Sequence, residues 1–166
     1  WIGGPNVPLF PEHVIRIDKI SGNFIPVVDR ITYMPVQIER ETDAYTIEWD
    51  DEIPAVVHTW NEFVSGQAFR DGCAEILEVI EKHNATKMLV DTSGIQAHDQ
   101  EDKEWLQNEW IPRTMDAGIE ASVTVPQDSV IAKMDLENFM NEVEEYDYKS
   151  TMVESVPEAR EWLSNQ

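Results

Sequence analysis

Thr86-Lys87-Met88-Leu89-Val90-Asp91-Thr92-Ser93-Gly94 is an apolar strand that stops abruptly in a small, polar turn. A short apolar run of this kind, bounded by turn residues, reads as a central strand flanked by crossover helices. Upstream, Phe69, Cys73, Ile76, Leu77 and Ile80 recur at i, i+4, i+7, i+8 and i+11, which puts them on one face of a helix. That helix is expected over residues 66–82, with Ser65 as its N-cap and Asn84 in the left-handed conformation that closes it. Before it, Tyr45-Thr46-Ile47-Glu48-Trp49 alternates, and Pro54 to Trp60 forms a second strand across an Asp50-Asp51-Glu52 turn. Together these make an antiparallel hairpin.

Downstream, Asp99 is placed to cap a helix whose first turn carries Glu101 and Asp102, where the helix dipole favours negative charge. Leu106, Trp110 and Ala117 share one face of it, with Trp105 alongside. Pro112 removes an intrahelical bond and should break or bend the helix near Ile111, and Gly118 ends it. A strand over residues 121–125 stops at Pro126. The helix expected over residues 129–145 would bury Ile131, Met134, Phe139 and Val143. A last short strand over residues 150–153 precedes Ser155-Val156-Pro157-Glu158, a capping box that opens a terminal helix bearing Ala159, Trp162 and Leu163. The order β-β-α-β-α-β-α-β-α predicts an α/β fold. We expect a single mixed five-stranded sheet with flanking helices, parallel wherever a helix intervenes.

Charge divides the chain. The 33 Asp plus Glu against 12 Lys plus Arg give −21 over 166 residues. In residues 1–33, Arg16, Lys19 and Arg30 balance Glu12, Asp18 and Asp29, so the whole excess lies beyond them. Residues 1–43 therefore read as an N-terminal extension and residues 44–166 as the domain. Within the extension, residues 14–21 and 24–33 could form a small hairpin about Gly22-Asn23. A leader or fusion remnant with Met34 as the natural start is the equal alternative. The dense negative field disfavours nucleic acid and anionic membrane surfaces as partners. Because the acids are scattered through every segment, they fit a salt-adapted surface, with an acidic face for a cationic partner as the alternative. The single cysteine, Cys73, lies on an apolar stripe and reads as a buried, inert thiol. No apolar run approaches the ~20 residues of a membrane helix, so a cytoplasmic protein is expected.

Several pieces together resemble a known group. They are Trp60, Phe69-Arg70, Lys87 to Asp91, Glu101 to Leu106, Trp110-Ile111-Pro112-Arg113 with Ala117-Gly118, and Glu158 to Leu163. Residues 45–163 are similar to the STAS/SpoIIAA-like superfamily, in particular to its prokaryotic branch related to anti-sigma-factor antagonists and CRAL-TRIO lipid-exchange domains. The resemblance implies a non-enzymatic regulatory or protein-interaction domain whose partner is another protein. In the antagonists, a serine in an Asp-Ser-Ser-Gly motif at a helix N-terminus is phosphorylated. Asp91, Ser93 and Gly94 match that motif, and Asp91, Thr92, Ser93 and Gly94 would form the regulatory loop. Here Ile95 to His98 intervene before the helix. The other reading of this loop has Thr92 and Ser93 satisfying turn backbone groups while Gly94 supplies a positive φ.

The lipid-exchange side of the resemblance implies the alternative function, a carrier or sensor of a small apolar ligand or lipid beneath the Trp105/Trp110 helix. Trp60, Trp105, Trp110 and Met115 would form its pocket. Other chemistry finds little support. Ser93 and His98 share one loop without a nucleophile elbow. His13, His58, His83 and His98 lack metal-ligand spacing. No phosphate-binding loop or dinucleotide fingerprint is present, and the Asp50-Asp51-Glu52 turn lacks calcium-loop spacing. No cofactor is expected.

Overall fold

The computed structural model describes residues 36–95, 98–142 and 149–166. The hairpin expected within residues 14–33, and Val143, lie outside them. The chain divides into two units, Trp1–Met34 and Pro35–Gln166, and every described residue belongs to the second.

That unit is an α/β domain with one mixed sheet. Its strands are β1 (Val36–Glu41), β2 (Tyr45–Asp50), β3 (Ala55–Trp60), β4 (Lys87–Asp91), β5 (Ala121–Val125) and β6 (Lys149–Met152), and they lie side by side in that order. The β1-β2 and β2-β3 pairs are antiparallel, whereas β3-β4, β4-β5 and β5-β6 are parallel. The sheet therefore has six strands where the sequence predicts five. The additional one, β1, is an exposed edge strand of sequence Val-Gln-Ile-Glu-Arg-Glu, whose charge conceals its alternation. It carries a register shift between Ile38 and Arg40, leaving Glu39 as the extra residue of a bulge. Glu39 meets the end of the first helix, accepting from Lys82 Nζ at 2.5 Å and lying 2.7 Å from His83 Nε2. His83 in turn stacks on Trp49, with ring centroids 4.4 Å apart. The Lys82 hydrogen bond, with the His83 contact adding to it, holds the Glu39 carboxyl below its usual range against the upward effect of burial.

The helices are α1 (Gly66–His83), α2 (Gln100–Trp105), α3 (Ile111–Asp116), α4 (Val130–Glu142) and α5 (Val156–Ser164). Each parallel crossover steps the same way along the sheet, and crossovers of one hand then place all their helices on one face. This face carries the larger core, in which Ile47, Val56 and Trp60 of the sheet meet Phe69 and Ile76 of α1 and Ile111 of α3. The opposite face is covered by α5, whose Ala159 and Leu163 pack on Val57, Leu89 and Val123. Alternate residues of each strand supply the two cores. Among the described residues, no helix is long and apolar enough to cross a membrane.

The helix ends show how well local signals read. Asn84 takes the left-handed conformation at φ 49° and ψ 47°, and Gly118 ends α3 at φ 114°. Asp99 caps α2, accepting from Asp102 N at 2.9 Å. Ser65, however, occupies the N-cap of α1 without a side-chain hydrogen bond. The cap comes from another helix, since Gly66 N donates to the buried Asp102 Oδ2 at 2.8 Å. In the terminal capping box, Ser155 accepts from Glu158 N as expected, but Glu158 accepts from Glu154 N rather than from the cap residue itself. The acidic turn after β2 is structural: buried Asp50 pairs with Arg160 of α5, which also reaches Glu52 at 3.0 Å.

Candidate ligand-binding cavity

A cavity of about 160 Å³ lies between the helix-bearing face of the sheet and the helices α2, α3 and α4. It sits beside the carboxyl ends of β4 and β5, where open parallel sheets characteristically receive ligands. Its floor follows from strand alternation. Ala121, Val123 and Val125 of β5 go to the α5 core, which leaves Ser122 and Thr124 facing the cavity. Ser150, opposite Ser122 in β6, continues this hydroxyl-bearing strip, and His58 of β3 lines the same cavity. The walls are apolar, with Trp60, Phe69, Leu106, Trp110, Ile111 and Phe139 among them.

α4 forms the cover. It presents Ala132, Asp135, Leu136, Phe139 and Met140 to the cavity, a stripe at i, i+3, i+4, i+7 and i+8. Ile131 and Met134, expected in the core, instead point outward at 80% and 58% exposed, beside Val130 at 74%. The reason is Asp135, a charge within the inward stripe. It pairs with Lys103 of α2 at 2.5 Å, and this polar position breaks the apolar period that would have identified the face. None of the described side chains of α4 is fully buried, although Phe139 packs against the main core, so this helix is held over the cavity by partly buried contacts.

The opposite wall is set by a widened turn. Between α2 and α3, residues Leu106–Trp110 form a π-helical segment, and Ile111 N–H donates to Leu106 O five residues back. Pro112, in the first turn of α3, has no N–H to offer, and the break expected near Ile111 is spread over the five residues before it. Trp110 reaches the cavity from this segment.

Of the four residues predicted to form a pocket, the structure brings Trp60 and Trp110 to the cavity and leaves the other two outside it. Trp105 stacks on Trp110 at 6.3 Å and lies edge-on to Phe69, with the Arg70 guanidinium 5.4 Å from its ring centroid. Met115 packs on the main core.

Two histidines that carry no role in the sequence reading stand at this site. His58 is 1% exposed, and its Nε2 has no hydrogen-bond partner among the described residues. Its ring lies edge-on to Trp60 at 4.6 Å. Burial, with a smaller contribution from His98, pushes its pKa down to about 3. His98 lies 4.4 Å from Phe69 and 6.3 Å from Trp60 between ring centroids, and its buried Nδ1 is likewise unpartnered among the described residues. Burial lowers its pKa too, partly offset by Asp102. Both imidazoles are therefore neutral at pH 7. His58 shares the strand parity of Val56 and Trp60, and that parity is the one sequence signal that places it inward. The Cys73 thiol also lines the cavity, but burial, with help from Asp102, pushes its pKa far up and keeps it protonated. Among the described residues no group of three or more His, Cys, Asp or Glu could hold a metal ion.

The Asp91–Gly94 turn lies at the cavity's edge. Asp91 Oδ1 accepts from Ser93 N at 2.9 Å, and both the N–H and hydroxyl of Thr92 donate to Val125 O, at 2.9 and 3.1 Å. Thr92 lines the cavity, whereas Ser93 and Gly94 are exposed. Ser93 is not at a helix N-terminus, since α2 begins at Gln100. Gly94 does not supply a positive φ, as Gly66 and Gly118 are the glycines among the described residues that do. Its requirement is space: a Cβ there would stand 3.1 Å from Trp60 O.

No family model matches this chain, and neither a curated protein nor a solved structure does.

Proposed function

We propose that this domain is a non-enzymatic binding module, a carrier or sensor for a small, largely apolar molecule held between the sheet and α4. The observation that carries the reading is the cavity itself: about 160 Å³, apolar on its walls, hydroxyl- and imidazole-bearing on its floor, and covered by a helix of whose described side chains none is fully buried. Binding sites combine these features, an apolar enclosure and a few converging polar groups. A purely structural core would favour Val over Ser122, Thr124 and Ser150. The chemistry of the lining favours binding over reaction, because the buried thiol is protonated and the Ser93 hydroxyl is outside on an exposed turn.

Native mass spectrometry of the protein purified from its own host, followed by denaturing mass measurement on the same sample, tests this reading. A ligand-sized adduct lost on denaturation is the expected result. A bare chain that also takes up no small apolar compound on incubation would contradict it.

A second reading, a regulatory domain of STAS/SpoIIAA-like type that meets a protein partner through Asp91–Gly94, is favoured by one observation. Ser93 and Gly94 are exposed while their neighbour Thr92 lines the cavity, so one turn touches both ligand space and solvent. A phosphate mapped to Ser93, or a co-purifying protein lost on changing this turn, would support it.

A further inference from the structure

We propose that the ligand of this cavity is an uncharged, ring-sized molecule bearing a hydroxyl group, of the phenol class, with the hydroxyl completing the hydrogen bonding of His58. This rests on the binding-module reading and narrows it.

Size comes first. Apolar protein cavities of roughly 150 Å³ accept benzene, so about 160 Å³ suits a single six-membered ring and leaves little room for a long acyl chain. Trp60, Phe69 and Trp110 offer the faces and edges on which such a ring packs.

Charge comes next. Lys103 of the lining is engaged with Asp135 at 2.5 Å, so each neutralises the other. Asp135 is the sole carboxylate among the described lining residues. The two imidazoles are buried among aromatic rings, and the chain as a whole carries −21. An anion would enter without a free cation to receive it, and a cation would enter without a free carboxylate. An uncharged ligand meets neither cost.

The polar group follows from the histidine. His58 Nε2 is buried and unpartnered among the described residues, and a buried polar atom in that state costs as much as a lost hydrogen bond. A neutral imidazole nitrogen is a donor in one tautomer and an acceptor in the other. A hydroxyl is the small group that answers both, since it donates to the bare nitrogen or accepts from the protonated one. Ser122 and Thr124 add hydroxyls on the same floor.

Isothermal titration calorimetry of the full chain at pH 7.5 with phenol, toluene and benzoate separates the parts of this inference. Toluene has nearly the shape of phenol and is the more hydrophobic, so burial alone would favour toluene. We expect one-to-one binding of phenol about tenfold or more tighter than toluene, with benzoate weaker than phenol. His58→Phe should bring phenol down to the level of toluene and leave toluene within about threefold of its original affinity. Should that variant fail to fold, the imidazole ¹⁵N resonances of the unaltered protein give the same answer, because phenol and not toluene should shift His58 Nε2. Toluene binding as tightly as phenol, without a His58 shift, would overturn the hydroxyl inference while leaving a ligand-binding cavity. Benzoate binding tightest would overturn the uncharged ligand. If none of the three binds, the inference and the binding-module reading fall together.

Discussion

Lys103 Nζ of α2 lies 2.5 Å from Asp135 Oδ2 of α4, and both residues line the cavity, so one ion pair fastens the covering helix to the wall opposite. The pair is partly exposed, at 21% and 35% of the side chains, and pairs of that kind contribute about 1 kcal/mol or less to global stability. Its effect should be local. Asp135→Asn is expected to shift the urea midpoint slightly while accelerating amide hydrogen exchange along α4, because none of that helix's described side chains is fully buried. Unchanged protection in α4, with a large fall in the midpoint, would mean that the helix is part of the core.

Asp102 is a different kind of acid. It is fully buried, caps α1 through Gly66 N at 2.8 Å, and lies 3.9 Å from Arg70 Nε. Removing it strands a backbone donor and takes the buried one of two carboxylates from the Arg70 guanidinium, which keeps Glu101 at 3.0 Å. Asp102→Ala should cost about 2–4 kcal/mol in urea unfolding, and Asp102→Asn, which keeps an acceptor for Gly66 N, clearly less. Equal losses for the two variants would show that the charge rather than the cap is what matters.

His58 gives the fold a pH dependence. Its pKa falls from 6.5 in the unfolded chain to about 3 in the folded one, so between these values the unfolded state binds a proton that the folded state refuses. The stability contribution is complete above pH 6.5 and is lost as pH falls, at up to about 1.4 kcal/mol per pH unit, down to about pH 3. His98, lowered in the same direction, adds to the slope. Between pH 7.5 and pH 5, the unaltered protein should lose roughly 2 kcal/mol more than a His58→Gln variant in urea unfolding. Parallel losses in both proteins would show that His58 is protonated in the folded state as readily as in the unfolded one.

The excess of acid predicts a response to salt. With −21 on the chain, self-repulsion opposes the compact state, and raising KCl from 0.1 M to 1 M shortens the screening length from about 10 Å to about 3 Å. Exposed pairs such as Arg113 with Glu109 weaken at the same time, but each contributes little. The urea midpoint should rise across this range. A flat or falling midpoint would mean that local pairs outweigh the net field.

How far the sequence could be read depends on the kind of signal. The alternation of Tyr45 to Trp49, the stripe from Phe69 to Ile80 and the caps at Asn84, Asp99 and Ser155 are local devices, and each stands where its residues put it. β1 escaped because an edge strand needs only one partner and carries charge on both faces; its Glu39 finds Lys82 and His83, more than forty positions away. The inward face of α4 escaped because Asp135 interrupts it, and the reason for that aspartate is Lys103 on another helix. The same holds at the cavity. Trp60 and Trp110 were legible as large apolar groups, whereas the importance of His58 arises from what surrounds it in space, two aromatic rings and a second histidine from a loop forty residues later. Trp105 and Met115, equally apolar in sequence, pack against the main core outside the cavity lining.

The indole N–H resonances of the full chain, followed in two-dimensional NMR during a titration with phenol, test the binding cavity most directly. Trp60 and Trp110 line it, whereas Trp49 stacks on His83 and Trp162 packs on the α5 core. Saturable shifts of the Trp60 and Trp110 indoles, with those of Trp49 and Trp162 unmoved, are the expected result. Indoles that all stay in place, or that all drift together without saturating, would contradict a ligand site between the sheet and α4.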